Sequence, residues 1–222
     1  MADTVLRGRS RRTAGRLADA AIRYAAMGWP VCPGAFAPGR AQRSPAVSRS
    51  CSCDRIGCPA PGAHPMSPAW QITASTDPEL VARWWAASPE ASIVLVTGRV
   101  FDVLDVPRAV GMTALSRIER AGTRPGPVAI TAADRAYFFV RTRGAPAHED
   151  EWWSCHLDCE PEKVADITGL RWHCRDSYVM APPSRHGGAG SGRWLREPAS
   201  FQLPDGVPVL EMLADVCEEI GQ

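Results

Sequence analysis

The sequence predicts an α+β fold, in which a mixed sheet made of hairpins is flanked by helices. Segments with apolar residues at helical spacing are interspersed with short runs of β-branched and apolar residues, the pattern of helices and strands in one domain. Turn residues separate several of these runs by distances that suit hairpins. The 222 residues are enough for one sizeable domain, and we expect it to span 13–222 after a disordered basic tail at 1–12.

Several segments are predicted helices. The first carries one apolar stripe and ends near Gly28. In the second, Thr76 or Asp77 can cap the helix, with Pro78 in its first turn. The predicted helices cover 13–28, 76–85, 109–121 and 209–220.

Short apolar or β-branched runs that end at turn residues are predicted strands. We expect 127–131 to pair with 136–140, and 170–173 to pair with 177–181. The predicted strands are 29–31, 92–97, 99–106, 127–131, 136–140, 170–173, 177–181 and 193–195.

Composition argues against a membrane or exported protein. Hydrophobic residues make up 45% of the chain and charged residues 22%, and no run of about 18 apolar residues is present. The basic N-terminus lacks the apolar run of a secretory signal, so we expect a cytoplasmic protein with no membrane partner. With a formal net charge of +1, any binding to nucleic acid has to come from a local patch.

The irregular region at about 33–72 needs a source of order, because structureless stretches of this length are uncommon inside compact domains. In its middle, Cys51, Cys53, Cys58 and His64 offer three thiolates and one imidazole, the donor set of a closed structural zinc site. We expect one zinc ion to pin this loop and to contribute its binding free energy to folding. The alternative is a set of free thiols, or a disulfide between two of them.

A second group of potential metal ligands is looser. It consists of Cys155, His156, Cys159, His173 and Cys174, and its later histidine lies on a predicted strand. Either a second metal ion or ordinary buried cysteines with a surface histidine would account for this group.

A glycine-rich segment at 184–193 carries Arg185, His186 and Arg193. Backbone amides and these side chains can cradle phosphates, although the segment lacks the lysine and the spacing of a P-loop. The alternative is a flexible hairpin loop.

Several short sequence segments, here called phrases, follow one another in a defined order over about 17–195, which is most of the chain. Together they resemble the N-terminal domain of bacterial and phage bifunctional DNA primase/polymerases, a branch of the archaeo-eukaryotic primase superfamily. The phrases are 20–31 (AAIRYAAMGWPV), 51–65, 76–78 leading to Trp84 and Trp85, 92–98 (SIVLVTG) and 177–184 (SYVMAPPS).

The resemblance implies a primase-like mixed sheet that carries metal-binding carboxylates and a histidine for the nucleotide phosphates. It also implies nucleotidyl transfer with two Mg²⁺ or Mn²⁺ ions, on DNA as a single strand or template-primer, with nucleotides as the other partner. The family's domain is often followed by an ATPase, and no P-loop follows 209–220. A separate helicase or replication partner is therefore expected.

The first two motifs that the resemblance implies are altered in this chain. The family has two aspartates two residues apart on a strand, whereas the catalytic candidates Asp102 and Asp105 are three apart. They would face opposite sides of a regular strand, unless a β-bulge intervenes. The alternative is a pair of solvated carboxylates at strand ends. At the position of the phosphate-binding histidine stands Tyr137 or Ala136, and Arg135 can supply the positive charge.

The third motif is altered as well. Its aspartate would fall within 168–173, where Arg171 is present and a carboxylate is not. We therefore expect a degenerate primase/polymerase-like domain that binds nucleic acid or nucleotides, with Arg135, Tyr137, Arg171 and the glycine-rich segment as contacts. The alternatives are an active template-dependent primase/polymerase and a zinc-stabilised protein-interaction module.

Overall fold

Helices and strands are interspersed along the chain, as the sequence predicts for an α+β protein. The computed structural model describes residues 2–37, 51–53, 55–142, 162–163, 169–186, 190–198 and 203–221, and their side chains except those of 2–12, 14, 162 and 163. The helices are α1 (Ala2–Ala26), α2 (Trp70–Thr73), α3 (Pro78–Ala87), α4 (Arg108–Arg120) and α5 (Gly206–Gly221). The strands are β1 (Val31–Gly34), β2 (Ser92–Val96), β3 (Phe101–Pro107), β4 (Val128–Ile130), β5 (Arg135–Arg141), β6 (Glu162–Lys163), β7 (Arg171–His173), β8 (Tyr178–Met180) and β9 (Arg193–Arg196).

The first of two compact units comprises Met1–Leu95 and Met180–Gly192. Helix α1 contacts α3 and β1 and buries one face against them, because its apolar residues recur at helical spacing. The buried residues of α1 are Leu17, Ala20, Ala21, Tyr24 and Ala25. The backbone of 2–12, the segment assigned to a tail in the sequence analysis, continues this helix.

Helix α3 begins as the sequence predicts. The side chain of Asp77 accepts a hydrogen bond from the Glu79 amide at 2.9 Å, which caps the helix with Pro78 in its first turn. The unit's sheet has the strand order β1-β2-β8, and β1 runs antiparallel to β2. The chain leaves the first unit within β2 and returns within β8.

The second unit comprises Val96–Val179 and Arg193–Gln222. Its six-stranded sheet has the order β6-β7-β3-β5-β4-β9, and its neighbouring strands are antiparallel. Helices α4 and α5 contact each other and the central strands β3 and β5. The resulting core includes Leu104, Val106, Val110, Leu115, Ile118, Phe138, Val140, Trp172, Val209 and Leu213.

The two faces of the six-stranded sheet have different chemistry, because side chains alternate along a strand. The register of β3 and β5 advances one residue at a time from Phe101↔Arg141 to Pro107↔Arg135, without a bulge. One face is apolar and packs on α4 and α5. Strand register puts a polar set on the other, which we call the polar face: Asp105, Arg135, Tyr137, Arg171 and His173.

One expected hairpin is present and the other is not. Strands β4 and β5 pair across a turn in which Asp134 has φ of 59°. The expected pairing of 170–173 with 177–181 is wrong, because β7 lies beside β3 and β8 lies beside β2. The hydroxyl of Thr97 donates to the Cys174 carbonyl at 2.5 Å, and its amide donates to the Ser177 carbonyl at 3.0 Å. Thr97 thus binds both ends of the turn at 174–177, and β7 and β8 do not pair with each other.

None of the described helices combines the length and the apolar character that a membrane span requires.

The close packing of α4 on β5 predicts the effect of one substitution. A Cβ atom at Gly111 would lie 2.2 Å from the Cβ of Ala136, so Gly111→Ala should lower the free energy of unfolding by about 1–3 kcal/mol. The higher helix propensity of alanine offsets at most about 1 kcal/mol of this loss. Urea denaturation measures the change. Gly15→Ala in α1 is the control, since its Cβ would meet nothing within 4 Å, and equal stability of the two variants would contradict this packing.

Candidate functional site

Four predicted metal ligands converge in the first unit. One ligand atom from each of Cys51, Cys53, Cys58 and His64 lies within 4.8 Å of all the others. Nε2 of His64 is 3.4 Å from Sγ of Cys51 and 3.5 Å from Sγ of Cys58. A tetrahedral zinc ion with Zn–S bonds of about 2.3 Å and Zn–N bonds of about 2.0 Å separates sulfur and nitrogen by about 3.5 Å. The cluster therefore has the donor set and the spacing to hold a zinc ion.

The orientation of His64 also suits a metal ligand. Its Nδ1 lies 2.8 Å from the carbonyl oxygen of Pro65, and since a carbonyl can only accept, the ring proton belongs on Nδ1. The lone pair of Nε2 is then directed at the two sulfur atoms. A backbone carbonyl that fixes the tautomer in this way is a common partner of metal-bound histidine.

The described cysteines differ in how readily they form thiolates. A hydrogen bond from the Arg55 backbone amide lowers the pKa of Cys53 to about 7, whereas burial raises the pKa of Cys58. Burial raises the pKa of Cys32, which lies outside the cluster, to about 12. All cysteines in the described part of the chain are free thiols. The cluster is therefore not a disulfide, and its sulfur atoms are available to a metal ion.

The cluster is attached to the end of β1. The amide of Ala35 donates to the carbonyl of His64 at 2.7 Å, and the hydroxyl of Ser92 donates to the carbonyl of Gly62 at 3.3 Å. A Cβ atom at Gly34 would lie 2.8 Å from Val94 and 3.3 Å from the His64 carbonyl. Glycine at this position thus permits the ligand loop to pack against the strand.

The second cluster proposed from the sequence is only partly described. Cys155, His156 and Cys159 lie outside the described residues. His173 lies on the polar face of the second unit, where both ring nitrogens have protein partners.

At the centre of the polar face, Asp105 is held by two side chains. Its Oδ1 accepts a hydrogen bond from Nε of Arg135 at 2.6 Å, and its Oδ2 lies 3.3 Å from Nε2 of His173. Nη2 of Arg135 also donates to the carbonyls of Asp105 and Gly169, at 3.1 Å and 2.7 Å. The carboxylate is only 2% exposed, so this guanidinium neutralises a charge that would be costly to bury alone.

Asp102 does not join Asp105. The regular register of β3 puts it on the apolar face, where it accepts a hydrogen bond from the Trp172 indole at 3.3 Å. Both aspartates are buried, at 1% and 2% exposure, so neither is a solvated carboxylate. The two catalytic candidates are therefore separated by the thickness of the sheet.

Tyr137 lies opposite Asp105 in the register of β3 and β5. Its ring packs edge-on against His173, with centroids 5.7 Å apart. Burial and the nearby charge of Asp105 raise the pKa of Tyr137. The phenol therefore stays neutral and keeps its proton for donation.

Sequence reasoning did not assign His173, a partner of Asp105, or Ser177, a partner of His173, to this site. Nδ1 of His173 lies 3.2 Å from Oγ of Ser177, so Asp105, His173 and Ser177 form a chain of hydrogen bonds. An aspartate, a histidine and a serine linked in this order also form a hydrolytic triad, in which the serine must reach its substrate. Here Ser177 is buried and Asp105 is already paired with Arg135. The chain of hydrogen bonds therefore supports Asp105 and does not activate a nucleophile.

The remaining predicted contacts are distributed between the two units. Arg171 is exposed beside Asp105 on β7, and Arg193 is exposed on the edge strand β9. Arg185 and His186 belong to the first unit, where the backbone of Arg185 forms an isolated antiparallel β-bridge with Ser191. Of the predicted contacts, Arg135, Tyr137 and Arg171 lie on the polar face with Asp105.

The sequence matches the family model described as "Bifunctional DNA primase/polymerase, N-terminal" over residues 21–209. No curated protein matches the chain significantly.

The ion pair of the polar face predicts a stability effect. Asp105→Asn leaves the mostly buried Arg135 without a charged partner, so the free energy of unfolding should fall by about 3 kcal/mol. In a double-mutant cycle with Arg135→Met, measured by urea denaturation, the coupling between the two sites should exceed about 1 kcal/mol. The control is Asp134→Asn, because the pair of Asp134 with Arg108 is exposed and contributes at most about 1 kcal/mol. Equal losses at Asp105 and Asp134 would contradict a structural role for the buried pair.

Proposed function

The chain belongs to the family of bifunctional DNA primase/polymerase N-terminal domains, and we propose that it binds DNA or nucleotides without carrying out nucleotidyl transfer. The observation that best supports this proposal is the 2.6 Å contact between Arg135 and Asp105. It puts a fixed positive charge beside Asp105, the residue that the resemblance matches to a metal-binding aspartate.

The polar face does not fit the Mg²⁺ or Mn²⁺ ions that an active member would use. Two-metal transfer requires several carboxylates that converge on the ions, and Asp105 is the one carboxylate among the described residues of this face. Both of its oxygens already have partners. At an effective dielectric constant of about 20, the guanidinium repels a divalent ion 4 Å away by about 8 kcal/mol, which offsets the attraction of one carboxylate at the same distance.

The same face suits an anionic ligand. Arg171 is exposed beside the neutralised Asp105, and a guanidinium matches the geometry of a phosphate group. The neutral hydroxyl of Tyr137 can donate a further hydrogen bond to phosphate. Trp194, half-buried against Phe139 with ring centroids 5.1 Å apart, can stack on a base.

The biological setting that we propose follows from the family. The ligands are single-stranded DNA, template-primer DNA or nucleotides, and the compartment is the cytoplasm. The role is in DNA replication, in which a separate helicase or another replication protein acts with this domain.

The proposal predicts DNA binding without synthesis. In fluorescence anisotropy at two salt concentrations, the full chain should bind a single-stranded oligonucleotide more weakly at higher salt. Arg171→Ala should weaken this binding and reduce the slope of log K against log salt by about 1. Arg120→Ala is the control, since Arg120 is exposed on α4, which covers the opposite face of the sheet, and should leave binding unchanged.

Parallel assays distinguish the other two functions. Primer-extension and de novo priming reactions with Mg²⁺ or Mn²⁺ should give no product. Template-dependent incorporation that disappears in Asp105→Ala, while DNA binding persists, would overturn the proposal and identify an active primase/polymerase. Failure to bind either DNA or nucleotides would instead favour a protein-interaction module.

We also propose that the Cys51, Cys53, Cys58 and His64 cluster holds one structural zinc ion. All four protein ligands are present, which leaves no open coordination position for catalysis. Zinc binding in small structural sites contributes about 10–16 kcal/mol, which is comparable to the whole stability of a domain.

The zinc proposal predicts one zinc ion per chain in metal analysis of the purified protein. Cys58→Ser should remove the zinc and most of the soluble protein, because the ligand loop loses its main source of order. Cys174→Ser is the matched control, since Cys174 is half-buried outside the cluster, and it should retain the zinc. A Cys58→Ser protein that folds without metal would contradict the structural role.

A further inference from the structure

Three hydrogen-bond donor groups of the polar face have no acceptor among the described residues. They are Nη1 of Arg135, the hydroxyl of Tyr137 and the guanidinium of Arg171. The other donors of Arg135 are used, since Nε binds the Asp105 carboxylate and Nη2 binds the carbonyls of Asp105 and Gly169. Both carboxylate oxygens of Asp105 also have partners. The described part of this face therefore offers donors to a ligand and has its carboxylate already engaged.

The three donor groups lie close together. In the strand register, Tyr137 on β5 and Arg171 on β7 both pair with Asp105 on β3, so the Cα atom of each lies about 5 Å from that of Asp105. The guanidinium of Arg135 contacts the same aspartate at 2.6 Å. Burial raises the pKa of Tyr137, and the nearby charges of Arg135 and Arg171 oppose this rise. The donor groups thus share one small area beside Asp105.

We propose that this area binds a terminal phosphate, of a nucleotide or of a DNA end, without a divalent metal ion. The inference rests on the proposed function and specifies the ligand of the same face. A phosphate monoester has three terminal oxygens and a charge of about −1.5 to −2, whereas a phosphate in the DNA backbone carries one charge. Three donor groups match the three oxygens of the monoester.

Arg135 makes a metal ion unnecessary at this position. A phosphate is repelled by an unpaired carboxylate, and Mg²⁺ commonly joins the two groups in nucleotide-binding sites. In this chain the guanidinium neutralises Asp105, and its Nη1 can donate to the phosphate directly. The Arg135 side chain is only 18% exposed, and hydrogen bonds in such a partly desolvated site are stronger than in water. A Mg²⁺ ion bound to the phosphate would reduce its negative charge and meet the guanidinium, and should therefore weaken binding.

The test uses the full chain and a fluorescently labelled dATP, with anisotropy measured in EDTA and in Mg²⁺. Binding should be at least as tight in EDTA as in Mg²⁺. Unlabelled dAMP should compete, whereas deoxyadenosine should not, because it lacks the phosphate that makes the contacts. Oligonucleotides of one sequence, labelled at the 3′ end and carrying a 5′-phosphate or a 5′-hydroxyl, show whether a DNA end supplies the same group.

Two variants each remove one donor group. Tyr137→Phe keeps the ring that packs against His173 and removes the hydroxyl, so the affinity for dATP should fall about tenfold. Arg171→Ala removes an exposed guanidinium, and the affinity should fall by at least about tenfold. Circular dichroism and zinc content establish that both variants are folded.

Arg141→Ala is the matched control for Arg171→Ala. Arg141 is also exposed on a strand of this sheet, but it pairs with Phe101, whereas Arg171 pairs with Asp105. The four residues between these positions on β3 correspond to about 13 Å, which is too far for one phosphate to contact both arginines. The control should therefore leave dATP binding unchanged.

Several outcomes would overturn the inference. Binding of dATP that requires Mg²⁺ would show that a metal ion joins the ligand to the protein. Equal losses in Tyr137→Phe and Arg141→Ala would show that the three donor groups do not form the site. If nucleotides and phosphorylated ends give no advantage, while binding of single-stranded DNA still depends on Arg171, the terminal-phosphate site is wrong and the proposed function stands. No binding of DNA or nucleotides would overturn both. A preference for the 5′-phosphorylated oligonucleotide without binding of free nucleotides would support the site and assign it to DNA ends.

Discussion

The ion pair between Arg135 and Asp105 holds the centre of the second unit together. Arg135 is the first residue of β5, Asp105 lies in the middle of β3, and the same guanidinium reaches the Gly169 carbonyl just before β7. One side chain thus fixes three neighbouring segments of the sheet. Because Asp105 is almost fully buried, its charge must be compensated inside the protein. His173 is the second partner of the carboxylate, and Ser177 holds the other ring nitrogen of His173.

The spacing of the two aspartates explains why their carboxylates do not converge. Aspartates two residues apart would share a face, whereas Asp102 and Asp105 are three apart and are sent to opposite faces by strand alternation. Each then has its own partner, the Trp172 indole on one side and the Arg135 guanidinium on the other. The one-residue difference in spacing therefore puts the two carboxylates on opposite faces of the sheet. It also leaves room for the guanidinium of Arg135 beside Asp105. This arrangement is the basis of our proposal that the polar face binds an anionic ligand.

Local patterns predicted those features that depend on short stretches of chain. The α+β class, the β4–β5 hairpin and the capped start of α3 follow from spacing within about fifteen residues, and the structure confirms them. The four predicted metal ligands, also close in sequence, lie together in the structure. Periodicity also predicted that the two aspartates face opposite sides of a regular strand. Periodicity indicates which face of a strand a residue occupies, however, and not which other strand it pairs with. The predicted pairing of 170–173 with 177–181 was wrong for this reason. The links of His173 to Asp105 and Ser177 were missed for the same reason, although His173 shares a strand face with Arg171.

The path of the chain has a consequence for synthesis on the ribosome. Strand β2 lies between β1 and β8, yet β8 follows only after β3, α4, β4, β5, β6 and β7 have been made. Until β8 arrives, the open edge of β2 presents unpaired backbone groups that can pair with other chains, and its five residues, all buried in the finished protein, are apolar apart from Ser92. At roughly 5–20 residues per second this interval lasts several seconds. The first unit, whose synthesis begins first, is therefore completed late in translation. The time during which the edge of β2 stays unpaired depends on the length of the second unit.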